Sequence, residues 1–280
     1  MVGRLVTPAA GLIPAGHQVV ADGAVLLDRT DRVLTVTLNR PTKLNAFSPA
    51  MFTSLELLSE ALHQDPTVRV VVFRGAGGRA LAAGADIGAF FHFTGTDDAV
   101  AYEAGVVRAL GGIERVPQVT LAVVEGLAVG GGLALATACD LRVVTPDARL
   151  GYPIAATLGN TLSAAVLRRC IAVFGDSLVR EMLLTATLLD AGRAYSSGAV
   201  MAVLEREGLD AAVTALAERV AGLAPTTQLA TKRILGLLDA GGVVDDEQII
   251  RNAYGSNDFG GAVRSFLGKQ PPTFSPELPL

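Results

Sequence analysis

Three consecutive glycines, Gly130 to Gly132, separate an apolar run, "QVTLAVVEG" (118–126), from a helix-forming run, "LALATACD" (133–140). No other feature constrains this chain as much. A continuous apolar run of that length reads as a strand covered on both faces. Glycine at a helix start leaves bare backbone N–H groups that suit an anion. The first turn that follows, Leu133 and Ala134, is empty of reactive side chains. A second unit of the same kind lies upstream. There "VRVVVFRG" (68–75) leads into the loop "GAGGRALAAGADIGAF" (75–90) and a helix near 97–115.

Around these two units the pattern is coherent. Residues 1–23 are punctuated by Pro and Gly and read as an extended arm. Leu34, Val36 and Leu38 alternate with Thr35 and Thr37, the period of a half-buried strand. "SPAMFTSLELLSEALHQDP" predicts a helix with Ser48 as N-cap and Pro49 in its first turn. Phe52, Leu55, Leu58 and Leu62 share one face of it. "LRVVT" is a further strand, and from about 160 the chain is mostly helical, with a last helix inside 247–269. Strands first and helices last predict an α/β core with a helical C-terminal part. The expected divisions are an arm over 1–24, a core over 25–205 and a helical region over 206–280.

With 280 residues, half of them hydrophobic, the chain can bury a large core. A net charge of −4 without a basic run argues against nucleic-acid binding. Cys139 and Cys170 lack CxxC spacing and read as buried free thiols of a reducing compartment. His17, His63 and His92 are too dispersed for a zinc site. No signal peptide and no membrane span are expected, so the expected location is cytoplasmic.

The glycine loops admit several readings. "GAGGRA" (75–80) satisfies G-x-G-x-x-A after a strand, which would suit a nicotinamide oxidoreductase. However, Gly84 and Asp86 stand where the helix should already run, and no acidic strand end follows at the right distance. No GK[ST] and no G-x-S-x-G is present, so a P-loop and a nucleophile elbow are excluded. Either loop alone could be a tight turn requiring positive φ. Taken together, Gly84-Ala85 and Gly130-Gly131 can each aim one N–H at a common point, which would make an oxyanion hole.

Four stretches, "LNRPTKLNAFS", "ALAAGADI", "GLAVGGGLALATACDLRVV" and "LGYPIAATLGN", come in the order and spacing of a known family. Over residues 25–274 the chain resembles the crotonase family, the enoyl-CoA hydratase/isomerases. The resemblance implies an α/β crotonase (ClpP-like) spiral of ββα units with C-terminal helices that trimerise. It implies an acyl-CoA substrate, with coenzyme A as part of that substrate and no permanently bound cofactor. It also implies a homotrimer or dimer of trimers, with neither nucleic acid nor membrane as partner. By position, the oxyanion donors would be the N–H groups of Ala85 and Gly131, beside Gly130. Lys43, Leu44, Ala46, Arg79, Ala83, Asp86 and Ile87 resemble the part that grips CoA, with Arg79 toward the phosphates. Phe266 and Lys269 would approach the adenine end from a neighbouring subunit. Ala134, Tyr152, Pro153, Ile154 and Asn160 would line the acyl pocket.

The chain departs from the family where the chemistry lies. A hydratase of this family uses two glutamates, and here their positions hold Ala134 and Ile154, which cannot transfer a proton. An isomerase usually keeps the second acid. The aspartate of the family's dehalogenases would fall near Leu162. Tyr152, Thr157, Asn160 and Thr161 are the polar residues that could stand in. His92 reads as a packed or surface residue, and Asp140 and Glu125 as structural acids. The expected function is therefore an acyl-CoA enzyme that forms a thioester enolate, of lyase or decarboxylase type, and not an efficient hydratase. The alternative is a non-catalytic acyl-CoA-binding protein.

Overall fold

The alternation at Leu34, Val36 and Leu38 places all three side chains in the core. In the computed structural model, which describes residues 13–240 and 244–280, they belong to the third strand of a meander. Its strands are β1 (Gly16–Val20), β2 (Val25–Thr30) and β3 (Val33–Leu38). β1 pairs antiparallel with β2 along its whole length. Residues 16–20 of the expected arm are thus a sheet strand, and the stretch 1–12 lies outside the described residues. Helix α1 (Pro49–Gln64) follows, with the Ser48 hydroxyl accepting the Met51 N–H at 3.4 Å. Phe52, Leu55, Leu58 and Leu62 are its buried stripe.

Three turns of one repeating pattern come next. In each, a long strand, a short strand and a helix succeed one another. The first is β4 (Val70–Gly75), β5 (Ala80–Ala82) and α2 (Thr96–Arg115). The second is β6 (Val119–Val124), β7 (Leu127–Val129) and α3 (Gly131–Ala138). The third is β8 (Leu141–Val144), β9 (Arg149–Gly151) and α4 (Ala164–Phe174). After them come α5 (Asp176–Leu184), β10 (Leu189–Asp190), α6 (Ala191–Ser196) and β11 (Ala202–Val203). The long strands join one sheet, β1-β2-β3-β4-β6-β8-β11, and the short ones another, β10-β9-β7-β5. This is the crotonase spiral of ββα units. The corner between β6 and β7 demands a backbone without a side chain. At Gly126 (φ +71) a Cβ would lie 2.2 Å from the Arg79 carbonyl oxygen.

The last helices are α7 (Leu209–Ala221), α8 (Pro225–Ala240), α9 (Glu247–Tyr254) and α10 (Asn257–Leu267). The single last helix expected inside 247–269 is in fact two. The chain breaks at Gly255, and the Ser256 hydroxyl caps α10 by accepting the Phe259 N–H at 3.1 Å. The apolar run of β4 is explained by its two neighbours. Val71 and Phe73 face the main core, whereas Val70 and Val72 face Leu209, Val213 and Ala217 of α7. The helical region beginning near 206 therefore supplies a layer over the sheet. Asp140 accepts from the Thr120 N–H (2.7 Å) and the Lys232 ammonium (2.6 Å), tying α8 to β6. Glu125 pairs with Arg74 at 2.9 Å. Both acids hold structure. No helix among the described residues is long and apolar enough to cross a membrane.

Candidate active site

The three glycines stand at close quarters, each for a different reason. Gly130 has φ +53, a region that disfavours side chains, and its N–H is spent on the Gly151 carbonyl at 3.1 Å. A Cβ on Gly131 would stand 3.1 Å from the Phe47 ring, and one on Gly132 2.0 Å from the Ala82 carbonyl oxygen. The run lets α3 start flush against β5. Gly131 opens α3, so its N–H has no intrahelical acceptor and sits at the positive end of the helix.

The second loop meets the first. Gly84 has φ +102, and a Cβ on Gly130 would lie 3.2 Å from the Gly84 Cα. Phe47 forms an isolated parallel bridge with Ala85. Its N–H donates to the Gly84 carbonyl (2.8 Å) and its carbonyl accepts the Asp86 N–H (2.8 Å). In such a bridge the N–H of the middle residue points the other way. The Ala85 N–H has no backbone acceptor among the described residues. Ala85 and Gly131 both line one cavity of about 260 Å³.

Ala83, Ile87, Gly130, Ala134, Tyr152, Pro153, Ile154, Asn160 and Leu162 line it as well. The positions of interest, Ala134 and Ile154, thus bound the space beside the two donors with hydrocarbon. The Tyr152 ring forms wall, but its hydroxyl is 3.0 Å from Cys170 Sγ and wholly buried. Burial pushes the pKa of that phenol well above its usual value. Its hydroxyl is therefore committed to the core, unlike the hydrogen-bonding role open to it from sequence. The Thr157 hydroxyl donates to the Pro153 carbonyl at 3.0 Å. Asn160 is exposed at the cavity margin. His92 is exposed and outside the lining, as is Thr161. Both cysteines are buried and free.

The residues expected around CoA separate into two groups. Arg40 and Lys43 both reach Asp86 Oδ2, at 2.7 and 3.1 Å, and hold its carboxyl down at about 2. Asp86 also accepts the Gly88 N–H and caps the turn Ile87–His92. The Leu44 carbonyl accepts the Ala83 N–H (2.9 Å), and the Ala46 carbonyl accepts from Arg40 (2.6 Å). The buried Asn45 amide donates to the Ala76 and Ala80 carbonyls. This loop is thus fastened beside the first donor. Arg79 is exposed and makes no ion pair among the described residues. Phe266, 82% exposed on α10, and Lys269 just beyond it are not part of the cavity wall.

Sequence reading passed over other parts of the wall, among them Phe52 from α1, Phe90, and Tyr102, Glu103 and Val106 from α2. Of these Glu103 matters most, being a carboxylate among hydrocarbon. Burial raises its pKa above the ordinary value, and the Ser163 N–H, which favours the ionised form, opposes this. A signal existed in the sequence. Glu103 lies three residues before Val106, so it shares the inward face of α2.

The ββα spiral matches known proteins over most of its length. The enoyl-CoA hydratase/isomerase family profile matches residues 28–238, and the chain belongs to that family, within the crotonase superfamily. A Thermus thermophilus protein provisionally named enoyl-CoA hydratase is 34% identical over 249 residues, covering 86% of this chain and 97% of that one. A crotonyl-CoA hydratase of Syntrophomonas wolfei is 29% identical over 196 residues, 70% of this chain and 75% of that one. Among solved structures, an enoyl-CoA hydratase/carnithine racemase from Magnetospirillum magneticum superposes with a TM-score of 0.85 at 32% identity, covering 91% of this chain and 96% of that one.

Proposed function

We propose that this protein is an acyl-CoA thioester enzyme that holds the thioester oxygen between the N–H groups of Ala85 and Gly131, and that it is not an efficient hydratase. The observation carrying this reading is the pairing of two unsatisfied donors with Ala134 and Ile154 at one cavity. One oxyanion donor contributes roughly 10²–10³-fold, and a positioned acid or base roughly 10²–10⁴-fold. Enolate stabilisation is therefore retained while the water-activating groups are absent from those two positions. Reactions that break a carbon–carbon bond suit such a site. In a decarboxylation the Cα–carboxylate pair becomes the enolate C=C, CO₂ leaves, and the oxygen charge falls on the two donors.

In this reading Lys43 and Arg79 meet CoA phosphates at the mouth, and Phe266 and Lys269 serve a neighbouring subunit's site. The exposed apolar side chains Leu238, Ile250, Phe259, Val263 and Leu267 on α8–α10 support assembly into a trimer or dimer of trimers. The test is a panel of enoyl-, malonyl- and β-ketoacyl-CoA thioesters, followed by mass spectrometry beside a binding titration. Turnover of a malonyl or β-keto member with slow hydration of crotonyl-CoA is expected. Hydration at rates usual for the family would overturn the reading. Tight binding with no turnover of any member would favour a non-catalytic acyl-CoA-binding protein.

A further inference from the structure

A thioester enolate is quenched by a proton at the carbon beside the carbonyl, or formed from the thioester by loss of one there, and the two positions the family uses for acids hold Ala134 and Ile154. Among the described residues that line the cavity, one carries a carboxylate: Glu103 on α2. Its helix packs against α3, which Gly131 opens, so donor and acid are borne by adjacent elements around the same 260 Å³ space. Resting on the enolate reading above, we propose that Glu103 is the catalytic proton carrier of this site, exchanging a proton with the substrate α-carbon.

The environment of Glu103 fits the task. It makes no ion pair among the described residues. α1 presents Glu56 to Arg108, and α4 presents Arg168 and Arg169 to Glu114, about three turns further along α2. α3 carries no charged side chain, and His92, in the turn before α2, is exposed. Tyr102, Tyr152 and Cys170 are kept neutral by burial. The Ser163 hydroxyl oxygen, beside the N–H that favours the ionised carboxylate, is buried without a partner. A carboxyl whose pKa is raised by burial is a stronger base when ionised and is present as an acid at higher pH.

The step balances without a co-reactant. Neutral Glu103 gives its proton to Cα, the enolate C=C pair forms the new C–H bond, and the oxygen pair restores the carbonyl, leaving Glu103 as carboxylate. In reverse, the carboxylate takes the Cα proton and the same electrons return to the oxygen at Ala85 and Gly131.

The experiment is exchange of the α-hydrogens of butyryl-CoA for deuterium in D₂O, read by mass spectrometry, with butyryl-CoA binding measured in parallel. Wild type is expected to exchange, with a rate that falls as pH drops through the raised Glu103 pKa. Glu103→Gln is expected to exchange roughly 10²–10⁴-fold more slowly, to bind within about threefold of wild type, and to lose that pH limb. Glu103→Asp restores part of the rate. Exchange by Glu103→Gln at the wild-type rate, with Ala85→Pro inactive, would overturn the role of Glu103 and leave the oxyanion reading standing. Binding without exchange in wild type would likewise sink the proton carrier. Failure of wild type to bind any acyl-CoA would remove both.

Discussion

Phe47 and Ala85 form a single parallel β-bridge, and that bridge decides which way the Ala85 N–H points. Phe47 is satisfied by the Gly84 carbonyl and the Asp86 N–H, so the Ala85 N–H takes no part in holding the loop. Ala85→Pro deletes one donor while sparing both of those bonds. Turnover of the substrate found in the acyl-CoA panel is expected to fall by roughly 10²–10³-fold, with a thermal midpoint close to that of the parent. A rate within threefold of the parent would show that the thioester oxygen is held elsewhere.

The hydrocarbon at Ala134 and Ile154 invites the opposite experiment. Both line the cavity, and Ala134 lies in the first turn of α3, where a carboxylate is favoured by the helix dipole. The double variant Ala134→Glu with Ile154→Glu is expected to gain crotonyl-CoA hydration by roughly 10²-fold or more over the parent. The loss of absorbance of the conjugated thioester is the readout, and an unchanged rate would count against positions 134 and 154 as the ones that limit hydration.

Gly132 and Ala82 are packed backbone to backbone. With only 2.0 Å between a Cβ on Gly132 and the Ala82 carbonyl oxygen, Gly132→Ala must push α3 away from β5. Overpacking of this kind costs about 1–3 kcal/mol, occasionally more. Urea unfolding should show that loss, and activity should fall too because Gly131 moves with α3.

Asp86 makes stability depend on acid. Its carboxyl is held at about 2 by hydrogen bonds from Arg40 and Lys43, below the ordinary carboxylate range. A depressed carboxyl contributes stability above its unfolded pKa and loses it as pH falls through the folded value. Wild type should therefore lose stability between about pH 4 and pH 2 more steeply than Asp86→Asn. At neutral pH the variant should be the less stable. Thermal midpoints across that range are the check, and parallel curves for the two proteins would contradict it.

Much of the scaffold was legible because its signals are short-range. Ser48 and Pro49 marked the start of α1, and the alternation at Leu34, Val36 and Leu38 marked β3. The four family stretches placed Ala85 and Gly131 in their loops before any geometry was known. Three-residue strands such as Ala80–Ala82 were hidden within a glycine-rich loop, since three residues carry no period. The break at Gly255 was hidden inside one apolar helical pattern.

The sequence by itself determined the longer elements such as α1, β3 and β4, their order, and the absence of an acid at positions 134 and 154, because each depends on residue identity or on neighbours a few positions away. Only the tertiary structure decided that the Tyr152 hydroxyl is paired with the Cys170 thiol and that Asp86 belongs to Arg40 and Lys43. It alone brought Glu103 to the cavity of Gly131. Those outcomes depend on strand register and on how α2 and α4 pack around α3, and no local pattern encodes the meeting of residues so far apart in the chain.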